Sequence, residues 1–315
     1  GWNNTASGYV AAVSGGQDNT AAGSYASISG GANNAASGGF AAVSGGSNNT
    51  ASGEKASASG GSNNQVDGVQ ASISGGRYNA AIGSSASVSA GLYNEASGSY
   101  TSVSGGWNNV ASSSRASVSG GDHNTASGDM ASISAGQGNT ASGIGSSVSG
   151  GYGNVSRGDS SSVSGGTSNS VDGGQASISG GRYNYALGLG ASISGGYANR
   201  TNGDDASVTG GYSNAASGPF ASISGGLSNT AGGVLAAIAG GSYNAASGVR
   251  ATVSGGAFNR ASGLESSISG GHNNSVDGYR TTVGGGRDCR VADSVLYGWA
   301  IGAPVPGNAC TMENW

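Results

Sequence analysis

A glycine returns every 15 residues, from Gly1 through Gly16, Gly31, Gly46 and Gly61 to Gly286, without a slip. A fixed period of this length requires like units to stack on one another, because no single unit can bury its own apolar face. Counted from that glycine, the block reads G-x-x-N-x-A-S-G-x-x-A-S-V-S-G. Position 4 is Asn in nineteen consecutive blocks, Asn4 through Asn274, and position 13 is Val or Ile in all of them except Ala58. Positions 12 and 14 are mostly Ser, as in Ser27 and Ser29 or Ser72 and Ser74.

Two short strands per coil follow from the alternation. Positions 11 to 14 read Ala-Ser-Val-Ser, the period-2 pattern of a half-buried strand, with positions 11 and 13 inward. Positions 4 to 7 alternate likewise, which turns Asn4 and Ala6 inward. The glycines at position 8 and at positions 15 and 1 are expected at turns that need φ > 0 or close backbone approach. A helix is excluded, since a glycine in every turn costs about 1 kcal/mol each relative to Ala. The expected fold is all-β: a parallel β-solenoid, or β-roll, of about 21 coils with a C-terminal cap. At roughly 4.8 Å per coil it would make a rod on the order of 100 Å long. A buried Asn at one fixed position, in Asn4, Asn19, Asn34, Asn49, Asn64 and Asn79 and onward, would bond to its own kind or to turn backbone as a ladder.

Composition supports that class. The 66 Gly and 8% charged residues are far from globular averages. Low charge argues against a disordered polyelectrolyte. Glycine is not every third residue, which excludes collagen. A net charge of −4 with scattered basic residues gives no footprint for nucleic acid. No apolar run approaches the roughly 18 residues of a membrane span.

A longer period overlies the short one. Asn64-Gln65-Val66-Asp67-Gly68 returns as Asn169 to Gly173 and as Asn274 to Gly278, 105 residues apart. The solenoid of residues 1–285 therefore falls into super-repeats 1–105, 106–210 and 211–315, the last ending in degenerate coils and a cap over 286–315. Ile82 and Leu187 replace the usual outward Ser at position 7, one coil after Asp67 and Asp172. Asp67, Ile82, Asp172, Leu187 and Asp277 are candidate docking residues; the alternative is a triplication that preserves accidents. Chemical variety concentrates at positions 2, 3, 9 and 10. Trp2, Tyr78, Tyr93, Trp107, Tyr152, Tyr183, Tyr197 and Tyr212 are expected at turn tips along one edge, suited to sugar, protein or self contacts.

The last two blocks break the pattern. Cys289 takes the ladder position of Asn, the run from Val295 to Ile301 is the most apolar in the chain, and Pro304 and Pro306 stop strand pairing. Cys289 and Cys310 are the only cysteines. A disulfide between them is expected and implies an oxidising, extracellular setting; intermolecular pairing is the alternative. Gly1-Trp2-Asn3-Asn4 starts inside the pattern with no comparable cap, which reads as missing upstream sequence or an open docking end.

Catalytic and metal chemistry have no sequence signal. Nineteen coils carry no insertion that would build a cleft. His123 and His272 are isolated at variable positions, no G-x-S-x-G elbow precedes a helix, and nearly every coil lacks the Asp of the calcium nonapeptide. No cofactor is implied and no enzyme is expected. Asn-x-Ser/Thr sequons stand at Asn3, Asn48, Asn154, Asn199 and Asn273, as chance allows in a chain this rich in Asn and Ser.

The coil from Ala21 through Asn34 resembles the head repeats of trimeric autotransporter adhesins of the YadA type. It is also similar to β-roll segments of some phage tail fibres and bacterial surface proteins. The resemblance covers nearly all of residues 1–285. It implies a left-handed parallel β-roll that trimerises and binds host matrix or other cells. The family strand typically ends in a second apolar residue, where this chain has Ser29 and Ser44, and no coiled-coil stalk or membrane anchor follows. One Val or Ile and two Ala per coil make a thin core, and lateral association would bury the flat Ser/Ala/Gly faces. The leading expectation is a secreted structural protein that self-assembles into an extracellular fibre, filament or sheath. Alternatives are an adhesin or fibre head that binds glycans or matrix through aromatic edges, and an ice-binding protein using Ser-x-Ser rows.

Overall fold

The computed structural model describes residues 1–301 and 311–314. The fold is an all-β parallel solenoid without helices, about 20 turns of 15 residues each. It divides into two compact units, residues 1–156 and 157–315. In the first, a ladder of position 5–6 strands runs from Thr5–Ala6 with every partner 15 residues on, and closes with Ala141 beside Ser156. A second ladder, of position 12–13 strands, runs from Ala12–Val13 to Ser147–Val148. The second unit repeats the arrangement, from Ser170 beside Tyr185 to Ser275 beside Arg290, and from Ser162 beside Ser177 to Ser267 beside Thr282.

Each turn is held by backbone hydrogen bonds to its neighbours. In the coil 31–45, the N–H groups of Ala32, Ala35, Ser37, Ala42 and Ser44 donate to carbonyls of the next coil, at 2.8–2.9 Å. Asn33 and Phe40 donate the other way, to Gln17 and Ser24 of the preceding coil, at 3.0 and 2.8 Å. These two sit at positions 3 and 10, where φ is positive: +55° and +60°. A left-handed residue reverses the axial direction of its N–H, so two residues per coil bond backward and seal both sides of the turn. Sequence reading missed this, although Asn3, Asp18, Asn33, Asn48 and Asn63 at position 3 are residue types that tolerate the conformation.

The core is narrow and dry. In a typical coil positions 4, 6, 8, 11 and 13 face inward, as Asn19, Ala21, Gly23, Ala26 and Ile28 do. The large apolar side chains there are the Val and Ile of position 13, joined at position 6 by Val66, Val171 and Val276, each nearly inaccessible. The inward set matches the alternation pattern in both units.

Two expectations about the coil are corrected. Position 2 is not a turn tip: it forms a third parallel contact, Trp2 beside Gln17 and on to Tyr152 in the first unit, and Thr167 to Arg287 in the second. Its N–H donates forward to the next coil, as Ala32 does to the Gly46 carbonyl at 2.9 Å, which keeps it in the ladder. The glycines also differ in role. Position 1 carries φ between +82° and +102°, as at Gly256 and Gly91. Position 8 is a place of close contact instead: a Cβ on Gly128 would sit 2.1 Å from the Gly143 carbonyl oxygen, and Ser113 is the one residue with a side chain there among the regular coils. Position 15 needs neither, since a Cβ on Gly120 meets nothing within 4 Å, and Ala90 and Ala135 already stand there.

The register slips once, near the C-terminal end. Thr282 pairs with Trp299 and Val283 with Ala300, 17 residues apart, so the coil after Gly286 carries two extra residues. Strand Gly298–Ile301 then pairs antiparallel with Thr311–Asn314, the one antiparallel pair among the described residues. Cys289 is buried and disulfide-bonded, and its N–H donates to the Asn274 side-chain oxygen at 2.9 Å. Cys310, its expected partner, and Pro304 and Pro306 lie outside the described residues.

Candidate interaction surface

An inward Asn file runs through the coils, and outside it stand aromatic rows and a few charge pairs. The amide oxygen of Asn19 accepts the N–H of Asn34 at 3.0 Å, and its amide nitrogen donates to the Gly15 and Gly31 carbonyls at 3.1 and 2.9 Å. Asn34, Asn49, Asn64 and Asn79 make the corresponding bonds, and Asn4 makes those to Gly16 and Asn19. Both donors and the acceptor of the amide are used inside a dry core. Asp lacks the donors, Ser has only one, and Gln is a methylene too long for the gap.

Aromatic rings stand at positions 2 and 3 beside the file and at positions 9 and 10 across the coil. Tyr78 and Tyr93, one coil apart, stack at 4.9 Å and 7°. Tyr197 and Tyr212 stack at 5.0 Å, with Tyr183 edge-on to Tyr197 at 5.6 Å. Trp107 meets the ring of His123 edge-on at 4.8 Å. On the other side of the turn, Tyr25 stacks on Phe40 at 4.9 Å and Tyr9 packs edge-on against Tyr25. Trp2 and Tyr152 are exposed at position 2. Arg77 lies 5.4 Å over Tyr78, and Arg182 lies 5.2 Å over Tyr183, the same pair one super-repeat later. The rings remain largely open to solvent, Trp2 at 70% and Tyr212 at 51%.

The candidate docking residues are distributed unevenly. Asp67 accepts hydrogen bonds from Ser52 and Gln65, with exposed Ile82 on the next coil of the same outward row. Asp172 pairs with Arg157 at 2.9 Å, and Leu187 beyond it is half-buried. Asp277 lies in a shallow groove of about 480 Å³ together with Phe258, Arg260, Asn273 and Arg290. A groove of about 490 Å³ occupies the equivalent place in the first unit, lined by Asn48, Thr50, Asn63, Gln65 and Tyr78. The three super-repeat copies therefore differ in what their Asp touches.

One charge ladder escaped the sequence reading. At position 10, Arg250, Glu265 and Arg280 alternate in sign on consecutive coils. Arg280 and Arg250 donate to the two Glu265 oxygens at 2.6 and 3.2 Å. The Arg280 hydrogen bond, more than any other cause, holds the Glu265 carboxyl below its ordinary value of 4.5. The alternating signs at 15-residue spacing were the signal. His123 faces Asp122 rather than a second metal ligand. Among the described residues no group of three or more His, Cys, Asp or Glu side chains is gathered as a metal would need, and no helix is long and apolar enough to cross a membrane.

Comparison with known protein families gives no match, and comparison with curated proteins gives none.

Proposed function

We propose that the chain is a secreted structural protein that self-assembles into an extracellular fibre, filament or sheath, and that it carries no catalytic activity. The observation behind this reading is the 15-residue register that both units keep up to the slip after Gly286. It sets small outward residues at position 12 in straight files, such as Ser72, Ser87 and Ser102 in one unit and Ser177, Ser192 and Ser207 in the other. Flat faces of small side chains let like surfaces approach closely and bury area without ordering long side chains. The disulfide of Cys289 supports export, because such bonds persist in oxidising compartments. Electron microscopy and sedimentation velocity across concentration and salt test the reading. Ordered filaments or laterally aligned bundles are expected; a strictly dispersed single chain under all conditions sinks it.

The stacked rings favour a second reading, an adhesin or fibre head that binds glycans or matrix. Rings held at 4.9–5.0 Å in parallel pairs present a rigid aromatic surface at low entropic cost. It is the reading nearest to the YadA-type resemblance. Glycan and matrix arrays probed with the intact chain and with Tyr78→Ala/Tyr93→Ala decide it: binding lost in the variant supports it, and no binding by either removes it.

A further inference from the structure

The five Asn-x-Ser/Thr sequons fall into two structural classes. Asn154 and Asn199 occupy position 4 and are wholly buried. The Asn199 amide nitrogen donates to the Gly195 and Gly211 carbonyls, and that of Asn154 to Gly150, each at 2.9–3.0 Å. Their hydroxyl residues, Ser156 and Thr201, fall at position 6 and are buried as well. Asn3, Asn48 and Asn273 occupy position 3 and are exposed. Their φ values of +54°, +57° and +55° stand them out from the coil in a left-handed turn. Their hydroxyl residues, Thr5, Thr50 and Ser275, fall at position 5 on the outward side of the strand.

In both grooves the acceptor amide and its hydroxyl share one solvent-open wall: Asn48 with Thr50, and Asn273 with Ser275. Each groove also holds an aromatic ring, Tyr78 in one and Phe258 in the other. The amide nitrogens are engaged only at the surface, by Asp18, Ser47 and Asp288. Such exposed bonds are exchanged for water at little net cost.

We infer that Asn3, Asn48 and Asn273 are N-glycosylation acceptors in the folded chain, and that Asn154 and Asn199 are closed to the reaction. The substrate class is a diphosphate-activated sugar. The amide nitrogen forms a bond to the anomeric carbon, the bond from that carbon to the diphosphate oxygen breaks, the diphosphate leaves with the electron pair, and the amide gives up one proton. A sugar on Asn48 or Asn273 projects from position 3 without disturbing the Asn file. A sugar on Asn154 or Asn199 requires the file to open.

The test uses the full chain, purified from a bacterial cytosol that lacks the modification. A soluble N-glycosyltransferase is chosen for activity on the urea-unfolded chain, and uridine-diphosphate glucose is the donor. Intact mass and peptide mapping read the sites. Transfer to Asn3, Asn48 and Asn273 is expected in the folded chain, with Asn154 and Asn199 modified only after unfolding. Asn48→Gln and Asn273→Gln, both exposed and away from the core, should each remove one sugar. No transfer to the folded chain overturns the inference, and so does transfer to Asn154 or Asn199 at a comparable rate. The outcome is independent of whether subunits assemble, so it stands apart from the scaffold reading.

Discussion

At the residue scale, the Asn file carries more of the fold than its volume suggests. Replacing Asn124 with Ala strands the Gly120 carbonyl and the Asn139 N–H, and leaves the Gly136 carbonyl with the Asp122 N–H alone. Each such orphan costs about 1–3 kcal/mol, so a loss of at least about 2 kcal/mol is expected in chemical denaturation. The converse holds where a buried hydroxyl has no partner among the described residues, as at Ser146 and Ser266. Position 11 is Ala in most coils, and Ser266→Ala should stabilise by about 1 kcal/mol in the same assay. Glu265 gives a pH signature. Its pKa is depressed by Arg280 and Arg250, so its contribution is present above the ordinary 4.5 and is lost as pH falls through the lower folded value. A carboxyl titration followed by NMR should place its midpoint below 4.5, and Arg280→Gln should move it upward. A midpoint unchanged by that substitution would refute the pairing.

At the scale of the coil, the three glycine positions make separable demands. Gly128→Ala forces a methyl group onto the Gly143 carbonyl of the next coil, a backbone atom that must shift to make room. A cost of about 3 kcal/mol is expected. Gly136→Ala combines a φ of +98° with a contact 2.3 Å from the Gly151 carbonyl oxygen, and should be at least as damaging. Gly120→Ala meets open space and should change stability by less than about 0.5 kcal/mol. Thermal unfolding of the three variants, measured side by side, distinguishes these roles; equal losses would show that glycine is needed for something other than φ and contact. The left-handed positions carry a related cost. Tyr25 and Phe40 sit at φ +58° and +60°, a conformation that costs an L-residue about 1–2 kcal/mol. Their stacking returns about 0.5–1.5 kcal/mol for the pair, so the rings offset only part of the strain of the turns that display them.

At the scale of the whole molecule, stability is a sum over like neighbours. Excision of one full coil, residues 31–45, would bring Thr20 and Ala21 beside Thr50 and Ala51, and Ser27 and Ile28 beside Ser57 and Ala58. Every inward residue keeps an equivalent partner. Circular dichroism per residue should be unchanged and the unfolding transition retained. Excision of residues 31–38 alone puts polar positions against apolar ones and should abolish the transition. If both deletions behave alike, register is not what holds the coils.

Much of this was legible in the chain because the period is strict. Fifteen residues with Asn, Ala, Ala and Val at fixed alternating places allow only one inward set, and that set fixes two strands, the stacking direction and the Asn file. A repeat also reports its own environment nineteen times, which a single motif never does. What tertiary structure decided are the features that depend on the neighbouring coil. Whether glycine is required by φ or by contact depends on how close the next backbone comes. Position 2 joins a ladder, and positions 3 and 10 bond backward, because of backbone direction that side-chain alternation does not encode. The same geometry separates Asn48 from Asn199: both carry the sequon, but one stands outside the coil and the other is locked within it by the carbonyls of its neighbours.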